Sequence, residues 1–210
     1  MVATARSAQE LFQAAYENRY TWDASFPGYR TEVIYRQGDQ EWRGQVQVGA
    51  DLKATVTGIA DPAAEKAIHA QLWETAIHRV RRSFADTHGQ NTFSYGETFP
   101  DGTVEILVGG KAAGDRYHLR DNQVTMVHRH IHGVVVTIHT YSSQDTGAGY
   151  LSQRYDSVYH DPKTGEQKGE KSLFTDTYVE VGGYWILAER QIESGSQVQL
   201  FRFVGIELLG

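Results

Sequence analysis

The chain has no cysteine, only two methionines and four prolines among its 210 residues. Without a thiol there is no cysteine nucleophile, Cys-ligated zinc, iron–sulfur cluster or disulfide framework, and nothing marks an oxidising compartment. Long apolar runs are missing too. The longest, Val134-Val135-Val136 with Ile138 beyond Thr137, is strand-sized and far short of the roughly 18 residues of a membrane helix. Met1 to Arg6 contains no apolar stretch of the secretion type, so a soluble, unexported protein is expected. Positive charge is scarce as well. With 20 basic against 26 acidic residues and a net charge of −6, the chain lacks the field that phosphate backbones require, and nucleic acid is not an expected partner. No serine nucleophile elbow, phosphate loop or dinucleotide fingerprint occurs. Gly109-Gly110 and Gly114 bracket Lys111-Ala112-Ala113 at a spacing that fits neither phosphate motif and reads as a turn with close backbone approach.

What is present describes one domain over 1–210, long enough to bury about 70% of its extended surface in a single core. Ser7 with Glu10 three residues later has capping-box spacing, and Leu11, Phe12, Ala15 and Tyr16 follow at helical intervals, predicting a short helix over about 7–18. Tyr29 to Arg36 is rich in strand formers, and Gln37-Gly38-Asp39 offers a turn. In the next run Trp42, Gly44, Val46 and Val48 alternate with Arg43, Gln45 and Gln47, as a sheet covered on one side demands. Leu52, Ala54 and Val56 repeat the pattern. Asp61-Pro62 is a helix start, with an acceptor at the cap and a proline where its missing donor costs nothing. One long helix is expected from about 61 to 88, with Ile68, Leu72, Trp73, Ile77, Val80 and Phe84 in one stripe. His78, Arg79, Arg81 and Arg82 suit the negative end of its dipole, and an anionic partner is the sharper reading of that cluster.

From Asn91 onward the chain reads as seven or more antiparallel strands. Turns are expected at Pro100-Asp101-Gly102, Asp121-Asn122, Gly147-Ala148-Gly149, 161–165 and Gly182-Gly183. The fold class is therefore α+β, mainly antiparallel β: a strongly curved sheet or unclosed barrel with the one long helix and the short N-terminal one.

Glu17-Asn18-Arg19-Tyr20-Thr21-Trp22, Phe26-Pro27-Gly28-Tyr29, residues 78–84, residues 127–135 and residues 155–165 together resemble a domain family of unknown function known mainly from cyanobacteria and plant plastids. The resemblance implies a cytoplasmic location, or a stromal one in plastids. The element order, an early helix, a three-strand meander containing Gly44-Gln45-Val46-Gln47-Val48, a helical insert and long antiparallel strands, is similar to the LolA/LolB-type lipoprotein carriers. That similarity implies an unclosed barrel over an apolar cavity, and binding rather than bond-making.

His128, His130 and His132 alternate, so an extended strand would project all three from one face. His128 and His130 are spaced to share a divalent metal, whereas the outer pair would stand roughly 13 Å apart along the strand. His118, His139 and His160 qualify as further ligands by type alone. Asp156, Asp161 and Asp176 read as turn caps and surface charges. Trp42, Trp73 and Trp185 fall within strand or helix patterns and read first as core, then as the lining of a pocket. The expected ligand-binding set is Trp42, Trp73, His128, His130, His132 and Trp185, with no catalytic residue assigned. The leading expectation is a non-enzymatic binding protein holding an apolar ligand, a lipid or a pigment such as a tetrapyrrole. The alternatives are a histidine-dependent enzyme, with or without metal, and an assembly factor, which the family resemblance implies would dock on a photosynthetic complex. Contact with a membrane surface is compatible with each.

Overall fold

A computed structural model describes residues 6–210; the expectation resting on Met1 to Ala5 lies outside the described residues. Three helices and twelve strands are described: α1(Ala8–Glu17), β1(Gly28–Gln37), β2(Gln40–Gly49), β3(Ala54–Thr57), α2(Pro62–Arg79), α3(Phe84–His88), β4(Asn91–Thr98), β5(Val104–Gly110), β6(Arg116–Arg120), β7(Gln123–Ile131), β8(Val134–Asp145), β9(Tyr150–His160), β10(Gln167–Val181), β11(Tyr184–Ser194) and β12(Gln197–Leu208). The strands form one sheet in the order β3-β2-β1-β12-β11-β10-β9-β8-β7-β6-β5-β4, so β3 and β4 are its two ends and the sheet is not closed. No described helix is long and apolar enough to cross a membrane.

Two compact units divide this chain. The first contains the described residues to Tyr20 with Arg82–Ser172; the second contains Thr21–Arg81 with Leu173–Gly210. Each is assembled from two segments far apart in sequence.

In the second unit the sequence patterns become a meander capped by a helix. Gly44, Val46 and Val48 of β2 are buried while Arg43, Gln45 and Gln47 are exposed, as the alternation predicts. Leu52 instead lies in the turn before β3 with φ +63°, so the third strand begins at Ala54. Tyr35 fills the core between Phe201, stacked at 4.5 Å, and Trp42, stacked at 5.1 Å. Helix α2 starts where predicted: Asp61 Oδ1 accepts from Ala63 N at 2.8 Å, and Pro62 occupies the first turn. It buries Ala64, Ile68, Leu72, Thr75 and Ala76.

The single helix expected over 61–88 is two helices. At Val80 the backbone turns extended (ψ 125°), and Val80 bridges to Trp22, whose N–H donates to the Arg79 carbonyl at 2.9 Å. Three residues on, Ser83 caps a new helix by accepting from Asp86 N at 3.0 Å. A β-branched residue with a strand partner followed by a fresh N-cap outcompetes continuation of the helix. The expected stripe is divided: Trp73 lies outside the α2 face that buries Ile68, Leu72 and Ala76 and is 65% exposed, and Phe84, beyond the break, belongs to the core of the other unit.

In the first unit, the capping box at the start of α1 forms as read, with Ser7 N donating to Glu10 Oε2 at 2.7 Å and Glu10 N to Ser7 Oγ at 3.2 Å. Helix α1 packs Ala8, Phe12, Ala15 and Tyr16 against Ile106, Val108, Tyr117 and Leu119 of β5 and β6 and against Phe84 of α3. Phe12 stacks on Tyr117 at 4.4 Å and meets Phe84, His88 and Phe93 at centroid distances of 5.7, 5.0 and 5.2 Å. Gly110, with φ +75°, permits the close approach read from the glycines, since a Cβ there would lie 2.5 Å from the Gln90 carbonyl.

Candidate functional site

Because side chains alternate along a strand, the residues between those that meet α1 and α3 point to the opposite face of the first unit's sheet. Register assembles them into rows. Glu105 lies opposite His118, His118 opposite Met126, and Met126 opposite His139. Arg116 pairs with His128 and His128 with Thr137, and Val135 pairs with His160. These side chains, with Glu97, Phe99, Asp161, Pro162 and Gly165, line an open groove of about 640 Å³. Four imidazoles therefore share one concavity with an apolar contribution from Phe99, Met126, Val135 and Pro162.

Only one of the three alternating histidines of the expected set lines this groove, and that is His128. His130 neighbours it with ring centroids 5.9 Å apart, but its Nδ1 lies 3.1 Å from the buried Asp115. His132 is not on the strand at all. With φ +49° it opens the two-residue turn His132-Gly133 between β7 and β8, a geometry with positive φ at both positions that suits a tight hairpin. Of the tryptophans, Trp42 packs in the second unit's core, Trp185 contributes its carbonyl to the Trp22 indole N–H at 3.1 Å in that same unit, and Trp73 lies exposed on α2. Among the described residues, no three His, Asp or Glu side chains are grouped as a metal ion would require.

The groove's chemistry is set by what holds each imidazole. His139 Nδ1 lies 3.1 Å from Asp156 Oδ1, which also accepts the His139 backbone N–H at 3.2 Å. The second oxygen of Asp156 accepts from the Tyr141 hydroxyl and the Lys171 ammonium. Asp156 is fully buried. Burial pushes its pKa up, but the donors Lys171, Tyr141 and His139 outweigh this and hold it below the ordinary carboxylate value. The same contact with Asp156 raises the pKa of Lys171. His128 Nδ1 and Thr137 Oγ1 share a hydrogen bond of 2.8 Å, and burial lowers the His128 pKa. Burial also lowers that of His118, which packs on Phe99 at 4.9 Å with its Nε2 3.8 Å from Glu105.

The aspartates divide as the expectation did not. Asp161 is the turn cap it was read as, accepting from Lys163 N at 2.8 Å and pairing with Lys168 at 2.9 Å; these donors bring its pKa down to about 2. Asp156 and Asp176 are buried in strands and held by partners from neighbouring segments.

A hydroxyl bonded to an imidazole and an imidazole bonded to a carboxylate are thus both present, on two different rings. The relay that would activate Thr137 as a nucleophile is split between His128 and His139. Sequence reasoning missed Glu105, Arg116, Thr137, Tyr141 and Lys171. Their signal is cross-strand register, which a single-strand pattern does not contain.

A family model described as "Protein of unknown function (DUF3386)" matches residues 3–209. The chain belongs to that family. The match spans both units of this DUF3386 chain, the imidazole groove included. No curated protein matches the chain.

Proposed function

We propose that the protein is a binding protein whose ligand lies in the imidazole groove of the first unit. The carrying observation is the composition of that groove: about 640 Å³ lined by Phe99, Met126, Val135 and Pro162 together with His118, His128, His139, His160 and Arg116. Volume and mixture are those of small-molecule sites, in which apolar side chains supply contact area and a few polar groups fix orientation. A ligand with a flat or elongated apolar body and a small number of polar groups, a pigment or a lipid, matches both. The similarity in element order to LolA/LolB-type carriers supports holding over bond-making. So does the split between Thr137–His128 and His139–Asp156. The buried aromatics around Phe12 and around Tyr35 fill packed cores, so this reading places the ligand on the face of the first unit's sheet opposite α1 and α3.

Native mass spectrometry of the full chain purified from its own host tests this, with Met126→Asp, which places a charge on the groove's apolar lining. A small molecule retained by the wild type and lost from the folded variant is the expected result. Retention of the same molecule by the variant would exclude the groove as its site.

A further inference from the structure

The four groove imidazoles are not equivalent. Asp156 is buried and ionised, and an ionised carboxylate only accepts hydrogen bonds, so the hydrogen it takes from the His139 ring must be carried by Nδ1. In the neutral imidazole this leaves a lone pair on Nε2. The Asp156 carboxylate is itself held from four directions, by the His139 backbone N–H, the His139 ring, Tyr141 and Lys171, so the ring has little freedom to change tautomer or rotate. His139 is half-exposed and lines the groove. The equivalent pair, His130 with Asp115, does not line it. His128 is bonded to a hydroxyl, which gives or accepts a hydrogen as required and so imposes no tautomer.

We propose that His139 is the specificity-determining acceptor of the groove, and that the ligand carries an N–H or O–H donor, of the phenol, pyrrole or lactam class, directed at Nε2. The inference rests on the groove being the binding site and adds which polar group its ligand presents. A carboxylate carries no donor and would leave the lone pair of the neutral ring without a partner. An ether or ester of the same shape would cover Nε2 without donating to it. Discrimination of this kind is strong because the site loses a bond it was built to make.

The test uses the full chain and two probes of nearly equal shape, 1-naphthol and 1-methoxynaphthalene, titrated at neutral pH and followed by ligand fluorescence. The phenol is expected to bind about ten-fold more tightly, the loss of one hydrogen bond to a held partner. In His139→Phe this preference should fall to about two-fold or less while the ether's affinity changes little, whereas His139→Gln, whose amide can donate to Asp156 and accept through Oε1, should keep part of it. Long-range nitrogen-15 NMR of the histidine rings in the free protein is expected to show Nδ1 of His139 protonated. Equal affinity for the two probes in the wild type overturns the role of His139 and leaves the groove standing. A preference that survives His139→Phe, or an Nε2-protonated His139, overturns it as well. Failure of both probes to bind removes the groove reading and this inference together.

Discussion

Arg190 holds Asp176 with one edge of its guanidinium, Nε to Oδ1 at 2.8 Å and Nη2 to Oδ2 at 2.7 Å, while Nη1 reaches Gln71 at 3.0 Å and Glu74 at 3.3 Å on α2. Both residues of the ion pair are nearly fully buried. The arginine therefore ties β10 and β11 to the helix through one planar group. Deleting Asp176 strips the bidentate carboxylate from a buried guanidinium and leaves it Glu74 at 3.3 Å as counter-charge, so Asp176→Ala should cost about 3 kcal/mol in urea unfolding. The double variant Asp176→Leu/Arg190→Met should recover most of that loss. A single-variant cost below about 1 kcal/mol would show that the guanidinium finds other compensation.

Phe12 and Trp73 form a paired comparison. Phe12 is 1% exposed and packs against Tyr117, Phe84 and Phe93, whereas Trp73 is 65% exposed. Truncation of the first to alanine should cost about 3–5 kcal/mol through lost transfer energy and the cavity left behind. Truncation of the second should change stability by no more than about 0.5 kcal/mol. Similar costs at the two positions would contradict the placement of Phe12 in the core and of Trp73 on the exposed face of α2.

His88 gives the fold a pH dependence of definite sign. Burial, with the cations Arg129 and Arg19 adding to it, lowers its pKa to about 4. An unfolded histidine titrates near 6.5, so as pH falls the unfolded chain takes up the proton first. The contribution of neutral His88 is complete above about pH 6.5 and is lost progressively down to about pH 4, amounting to about 3 kcal/mol. Chemical denaturation from pH 7.5 to 4 should show that slope, and His88→Gln should flatten it. An unchanged slope in the variant would assign the loss to another group.

Asp156 titrates in a different window. Its pKa lies below the ordinary value, so its contribution is present above the unfolded pKa near 3.9 and fades only as pH falls through the lower folded value. It therefore persists while His88 is titrating. Asp156→Ala should cost about 2 kcal/mol at pH 7, because the His139 backbone N–H loses its acceptor and Lys171 its counter-charge. The pKa of Lys171, raised by the carboxylate, should fall in the same variant, measurable by nitrogen-15 NMR.

Local order was readable from adjacent residues because it is set by adjacent residues. Ser7 with Glu10 and Asp61 with Pro62 supply cap acceptors within one turn of the donors they satisfy. Asp121-Asn122 adopts the paired positive φ of a tight hairpin, and the alternation from Trp42 to Val48 buries one face. The presence of histidines on alternate positions of β7 was legible for the same reason, through His128 and His130.

What the tertiary structure decided involves partners distant in the chain. Val80 leaves the helix where Trp22, 58 positions earlier, offers it a bridge. His132 leaves the strand because the β7–β8 register places the turn at His132-Gly133 rather than beyond it. Above all, His118, His128, His139 and His160 come from four strands, and only the pairings of β6 through β9 bring them onto one face. Alternation along a strand assigns each residue to a face; hydrogen-bonded register decides which residues of other strands it meets there. The sequence by itself determined an antiparallel sheet with capped helices and an excess of imidazole. The pairing of its strands made four of those imidazoles into a groove and placed a buried carboxylate behind His139.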